Sequence, residues 1–188
     1  MNPVDKATDN DLMILVRDGR VEKMAVLFER HHVMLFNFFL RLTGNRNISE
    51  DLVQDVFVRM LKYRSTYQGQ NKFMLWIFRI ARNAHIDFLR KKKNEVSMDE
   101  HWYEEPSSDP LPLEKTEKAQ DAMRLNQALA KLPVKKREVL LLSRFQNMKQ
   151  KEIAELLGCR TGAVKAMIHR AVKDLGKAYF ELSGGVTS

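Results

Sequence analysis

The sequence predicts an all-α protein built as two small helical domains joined by a flexible acidic linker. Three observations carry that prediction. Apolar residues recur at three- and four-residue intervals through most of the 188-residue chain, the period of helices that bury one face. Only 8 Gly and 5 Pro accompany 30% charged residues, a poor composition for a turn-rich β architecture. The charge is also segregated: residues 95–118 hold eight acids and two bases, so a chain of net charge +8 carries +14 outside that stretch.

The elements follow in order. A short, weaker helix is expected at 9–18, then a longer one over 22–42 with Met24, Leu27, Phe28, Leu35, Phe38, Phe39 and Leu42 on one face. Thr43-Gly44-Asn45 ends it. Ser49 suits the cap of the next helix, with Glu50 and Asp51 favourably placed in its first turn. That helix turns Leu52, Val53, Val56, Phe57, Met60 and Leu61 to one side. After a polar break at 65–72, a third long helix runs from 73 to about 91, its core face formed by Phe73, Ile77, Ile80, Ala81, Ala84 and Phe88.

Acids, Ser and three prolines (Pro106, Pro110, Pro112) then dilute the apolar content too far to bury a core, which marks a linker. We place the domains at 1–94 and 118–188, with the linker at 95–117. Helical periodicity resumes near Thr116 and runs to Leu132, where Pro133 stops it. Further helices are expected over 134–145, 150–157 and, capped by Thr161, 161 to about 180.

Composition also excludes. One cysteine, Cys159, permits neither an intrachain disulfide nor a Cys-based zinc site. The histidines (His31, His32, His85, His101, His169) show no ligand spacing with acids, so no metal and no cofactor is expected. Residues 1–10 lack the basic and apolar regions of a signal peptide, and the apolar run 33–40 is far too short for a membrane span. The expectation is a cytoplasmic protein that is not inserted in a membrane. The basic flanks point to a polyanionic partner such as nucleic acid.

A short helix, a turn with Gly158, and a longer helix form a helix-turn-helix pattern. Ile153, Ala154, Leu157, Val164 and Ile168 supply the apolar crossing, with Ala171 and Leu175 continuing the inner face. Lys165, Ala166, His169, Arg170 and Lys173 share the outer face, with Arg160 at its entry. Cations there meet phosphates and guanine edges, and a small Ala lets the backbone come close. Thr161, Gly162 and Ala163 present N–H groups at the helix start, a natural phosphate site.

The run from Asn126 through Leu132-Pro133 to Leu142, then Ile153–Gly158 and Val164-Lys165 with His169-Arg170-Ala171, resembles the fourth domain of bacterial sigma factors. The resemblance implies that this domain reads the minus-thirty-five promoter element. Helix-turn-helix ends also occur on other regulators, so the N-terminal half decides.

There, Asp51-Leu-Val-Gln54-Asp55-Val-Phe57-Val58-Arg59 is similar to the family's core-binding segment. Asp51, Gln54, Asp55 and Val58 lie opposite the core row, an acidic patch suited to a basic partner helix. The resemblance implies docking of Asp51, Gln54, Asp55, Val58 and Arg59 on a coiled coil of the largest polymerase subunit. The segment from Phe73 to Lys93 resembles the region that melts promoters and reads the minus-ten element. Arg79, Arg82, Asn83, Ile86 and Arg90 share one face; the Asn83 amide suits a base edge and the arginines suit phosphates. The preceding loop, Tyr67-Gln68-Gly69-Gln70-Asn71-Lys72, sits where the family pockets a base flipped from the opened strand. Gly69 permits close backbone approach, Gln68, Gln70 and Asn71 supply amides, and Tyr67 offers a ring for stacking.

Both motifs in this order, with only a linker between them, resemble sigma factors of the extracytoplasmic-function (ECF) group. The implied function is to bind core RNA polymerase and direct promoter recognition, promoter melting and transcription initiation, with an anti-sigma protein as regulator. No catalytic role is implied. A stand-alone helix-turn-helix regulator would need a dimer interface or a receiver domain, and the N-terminal half lacks the βα alternation of a receiver. A nucleic-acid enzyme would need clustered carboxylates for metal, whereas the acids outside the linker are dispersed.

Overall fold

The computed structural model describes residues 7–69, 72–96 and 117–183. Every regular element among the described residues is helical: α1 (Asp9–Arg17), α2 (Met24–Thr43), α3 (Arg46–Lys62), α4 (Phe73–Val96), α5 (Glu117–Ala130), α6 (Val134–Leu140), α7 (Gln150–Leu157) and α8 (Thr161–Leu182). They group into two compact units. The first holds α1, α2 up to Asn37, α3 from Asn47, and α4; the second holds residues 38–46 and α5–α8. The linker expected over 95–117 falls almost wholly outside the described residues. No described helix is long and apolar enough to cross a membrane.

In the first unit, α1 starts on a capping box. The Thr8 hydroxyl accepts from Asp11 N–H at 3.2 Å while Thr8 N–H donates to the Asp11 carboxylate at 3.1 Å. The Thr8 hydroxyl also donates to the Asp11 carboxylate at 2.6 Å, and this bond first, then that from Thr8 N–H, holds the Asp11 carboxyl below its ordinary value. Leu12, Met13 and Val16 are buried, so this helix is part of the core. Leu27 and Leu35 of α2 bury fully, whereas Phe28, expected on the same face, stays 37% exposed at the edge of the core, its ring against Phe57 of α3 at 4.9 Å between centroids. On α4, Leu75, Trp76 and Phe78 are buried beside the expected Phe73, Ile77, Ile80, Ala81 and Ala84, whereas Phe88 is only half-buried. The first half of α4 is therefore enclosed on several sides.

Ser49 does not cap α3. Gly44, at φ 72°, reverses the chain directly after α2, the Thr43 hydroxyl accepts from Asn45 N–H at 3.2 Å, and α3 begins at Arg46. Ser49 is left fully buried inside the first turn of that helix.

In the second unit the helix expected over 134–145 changes character partway. It is α-helical to Leu140 and π-helical over Leu141–Phe145, with Gln146 N–H reaching back five residues to the Leu141 carbonyl at 3.0 Å. Arg137 is buried at 8% exposure and donates to the Ala130 and Leu132 carbonyls, tying off the turn that follows α5. Burial pushes its guanidinium pKa down from the ordinary value.

Candidate nucleic-acid interface

The C-terminal motif is assembled as its residue pattern requires. Glu152 accepts from the Lys149 backbone N–H at 2.8 Å, opening α7. Gly158 closes that helix in the left-handed conformation, φ 65° and ψ 37°, and Cys159 N–H donates to the Ala154 carbonyl at 3.0 Å. Ile153, Ala154, Val164, Ile168 and Ala171 are buried where α7 and α8 meet; Leu156 takes the inner place expected of Leu157, which is half-buried.

On α8, Lys165, His169, Arg170 and Lys173 are exposed along one side, with Ala166 half-buried among them. Arg160, also exposed, occupies the cap position one residue before the expected Thr161, which is the first helical residue. Of the three N–H groups expected at the helix start, that of Ala163 is engaged internally, donating to the Arg160 carbonyl at 2.9 Å. The phosphate-facing donors of this turn therefore reduce to Thr161 and Gly162. Lys136 of α6 bonds the Asp174 carboxylate of α8 and holds its pKa below the ordinary value.

In the N-terminal unit, Arg79 and Asn83 are exposed, Arg82 and Ile86 are half-buried, and the Arg90 side chain is 71% exposed. Three of these five line one cavity of about 420 Å³, formed by Ile80, Asn83, Ile86, Asp87 and Arg90 of α4 with Arg59 and the partly exposed ring of Tyr63. An amide, an aromatic face, two aliphatic side chains, two guanidinium groups and a carboxylate converge there. That set can stack and hydrogen-bond a planar heterocycle.

Tyr63 and Asp87 were not predicted as site residues. Tyr63 closes α3 and meets Asn83 only through tertiary packing; Asp87 carried one signal, lying one turn beyond Asn83 on the same face.

Arg59 differs from its predicted setting. Its guanidinium bonds Asp55 one turn back on α3 at 2.9 Å and Asp87 on α4 at 2.7 Å. These bonds, Asp55 first, raise its pKa above the ordinary value. The side chain thus faces the α4 cavity, and the Asp55 carboxylate is paired with it while its side chain stays 40% exposed. Asp51 and Gln54 are exposed, as is Val58 at 62%, so those three form the free part of the α3 patch.

The loop before α4 also differs. Tyr67 is only 1% exposed, its ring set edge-on to Trp76 at 5.0 Å, and its hydroxyl donates to the Asn10 side-chain carbonyl. Burial, with the nearby charges of Asp9 and Asp11, raises its pKa. A ring so enclosed cannot stack on a base; Asn10 of α1 and Trp76 of α4 hold it. Gly69 adopts φ 69°, and its close neighbour is Ile14 of α1, 3.1 Å from where a Cβ would stand. Gln68 and Lys72 are exposed; Gln70 and Asn71 lie outside the described residues.

Comparison with known proteins defines the class. Sigma-70 region 2 matches residues 27–95 and Sigma-70 region 4 matches residues 122–175. The chain belongs to the RNA polymerase sigma factors, the non-catalytic initiation factors that bind core polymerase and direct it to promoters. Within them it falls among the ECF group. It is 30% identical over 176 residues to the ECF RNA polymerase sigma factor RpoE of Cereibacter sphaeroides, covering 91% of this chain and 96% of the other. It is 28% identical over 176 residues to the ECF RNA polymerase sigma factor SigW of Bacillus subtilis, covering 89% and 94%. Among solved structures, CnrH in complex with the cytosolic domain of CnrY superposes with TM-score 0.68 at 25% identity, over 90% of this chain and 95% of that one. The fold is shared with the sigma factor RpoE of Bartonella quintana, bound there to the anti-sigma factor NepR, at TM-score 0.72 and 22% identity, over 82% of this chain and 94% of that one.

Proposed function

We propose that this sigma factor reads promoters through two surfaces and docks on the polymerase through a third. The outer face of α8 (Lys165, Ala166, His169, Arg170 and Lys173), entered through Arg160 and Thr161, lies in the major groove of the minus-thirty-five element. The α4 face (Arg79, Arg82, Asn83, Ile86 and Arg90), with Gln68 to Lys72 of the preceding loop, holds the opened minus-ten strand. Asp51, Gln54, Asp55, Val58 and Arg59 of α3 meet the coiled coil of the largest polymerase subunit.

The observation that carries this reading is the cavity around Asn83. It sets an open space of about 420 Å³, an amide and an aromatic ring beside the exposed cations of α4. Opening a duplex needs no chemical step by such a protein. It needs tighter binding to exposed bases than to paired ones, which shifts the equilibrium toward the open strand. We assign no reaction to the chain and place it in the cytoplasm with the polymerase.

The two domains are assigned to 1–94 and 118–188, with the acidic linker at 95–117 between them. An anti-sigma protein fits as regulator, because solved relatives are described in complex with such partners.

Run-off transcription with core polymerase on a library of upstream DNAs tests the function. Asn83→Ala should weaken open complexes by about tenfold, the worth of one good base-edge contact, and leave core binding unchanged. Equal loss of core binding would show that the face is misassigned.

A further inference from the structure

We propose that Asn10 of α1 is a positioning residue for base reading, holding the loop so that the Gln68 amide is presented to one base of the opened strand. This rests on the minus-ten reading given above and deepens it. Three hydrogen bonds and one apolar contact join α1 to the loop. The Asn10 amide nitrogen donates to the Gly69 carbonyl at 2.7 Å, and its oxygen accepts from the Tyr67 hydroxyl. About two turns further along α1, the Arg17 guanidinium donates to the Tyr67 carbonyl at 3.2 Å. Between them Ile14 lies against Gly69.

These contacts fix the carbonyls on both sides of Gln68, the exposed residue between them. An amide on a mobile loop would lose rotational freedom on binding any base and would gain little selectivity. An amide on a clamped backbone starts in one orientation and rejects bases whose donor and acceptor pattern does not match. The clamp is also specific to asparagine. Its two functions, donor to Gly69 and acceptor from Tyr67, use both ends of one short amide, whereas aspartate keeps only the acceptor.

The test uses full-length protein assembled with core polymerase, challenged with a pool of short randomised single-stranded DNA, and reads base enrichment at each position. Wild type should enrich one base about tenfold at the position read by Gln68, the discrimination expected of a well-placed side-chain contact. Gln68→Ala and Asn10→Ala should each flatten that same position to within about twofold and leave the others intact. The double variant should add nothing. Asn10→Asp retains the Tyr67 acceptor and hence the packing of the ring, so it should fold even if Asn10→Ala does not, and it should show the same single flattened position.

A uniform loss across all positions would assign Asn10 a purely structural role and overturn the inference. So would unchanged enrichment in Asn10→Asp, with the minus-ten reading left standing. Absence of enrichment at every position in wild type would instead bring down the minus-ten reading, and this inference with it.

Discussion

Substituting Gly69 by Ala perturbs two things that can be separated. The residue sits at φ 69°, where a Cβ costs about 1 kcal/mol. That Cβ would also stand 3.1 Å from Ile14 Cδ1 and 3.4 Å from Cγ1, closer than side chains normally approach. Ile14 is only half-buried and can yield partly, so the overpacking adds about 1 kcal/mol, the low end for such insertions. The total, about 2 kcal/mol, corresponds to a fall in melting temperature of roughly 8–16 °C for a unit of this size.

Ile14→Val removes Cδ1 and separates the two contributions. Alone it costs about 1 kcal/mol. In the Gly69→Ala background it also relieves the clash, so the pair should couple by about 1 kcal/mol in the stabilising direction. The assay is urea unfolding of the full chain followed by the fluorescence of Trp76, which touches Tyr67, in a Trp102→Phe background that leaves one reporter. Gly69→Ala as stable as wild type, or a coupling below about 0.3 kcal/mol, would refute the packing of α1 on the loop.

Three further outcomes follow from the same structure. Arg59→Ala leaves Asp55 and Asp87 without their shared partner and should destabilise the N-terminal unit by about 1–2 kcal/mol, read by the same Trp76 titration. Asp174 has its carboxyl pKa lowered below 3.8, by Lys136 first, so its contribution is full above that value and is lost as pH falls through the lower folded pKa. Acid unfolding of the second unit should therefore lose part of its dependence on pH below 3.8 in Lys136→Met, as followed by circular dichroism. Lys165→Ala and Arg170→Ala, assayed with the holoenzyme on upstream duplex DNA, should each reduce the slope of log affinity against log salt by about one.

Much of this architecture was legible because amphipathic periodicity encodes which face is buried. The core rows of α2, α3 and α4 were readable from residues three and four apart, and the helix-turn-helix from Ile153, Ala154, Gly158, Val164 and Ile168. What escaped depends on contacts distant in sequence or on backbone detail. The start of α3 was shifted because a serine before two acids imitates a cap, while Gly44 and Thr43 complete the turn earlier. A π turn at Leu141–Phe145 differs from an α turn by one step of hydrogen-bond register, which periodicity does not record. Tyr67 looked available for stacking because nothing near it in sequence announces Asn10, 57 residues away, as its partner. Arg137 follows Lys135 and Lys136 with nothing in the sequence to set it apart, yet the neighbouring carbonyls draw it inward.

The position of Arg59 bears on how alleles of α3 should be interpreted. Because one guanidinium spans the helix assigned to polymerase docking and the floor of the cavity assigned to bases, a genetic screen would score its loss under both phenotypes. Separation-of-function alleles should be sought instead at Val58 or Gln54, which project away from α4, and at Asn83. Arg59 is better kept as the double-defect control.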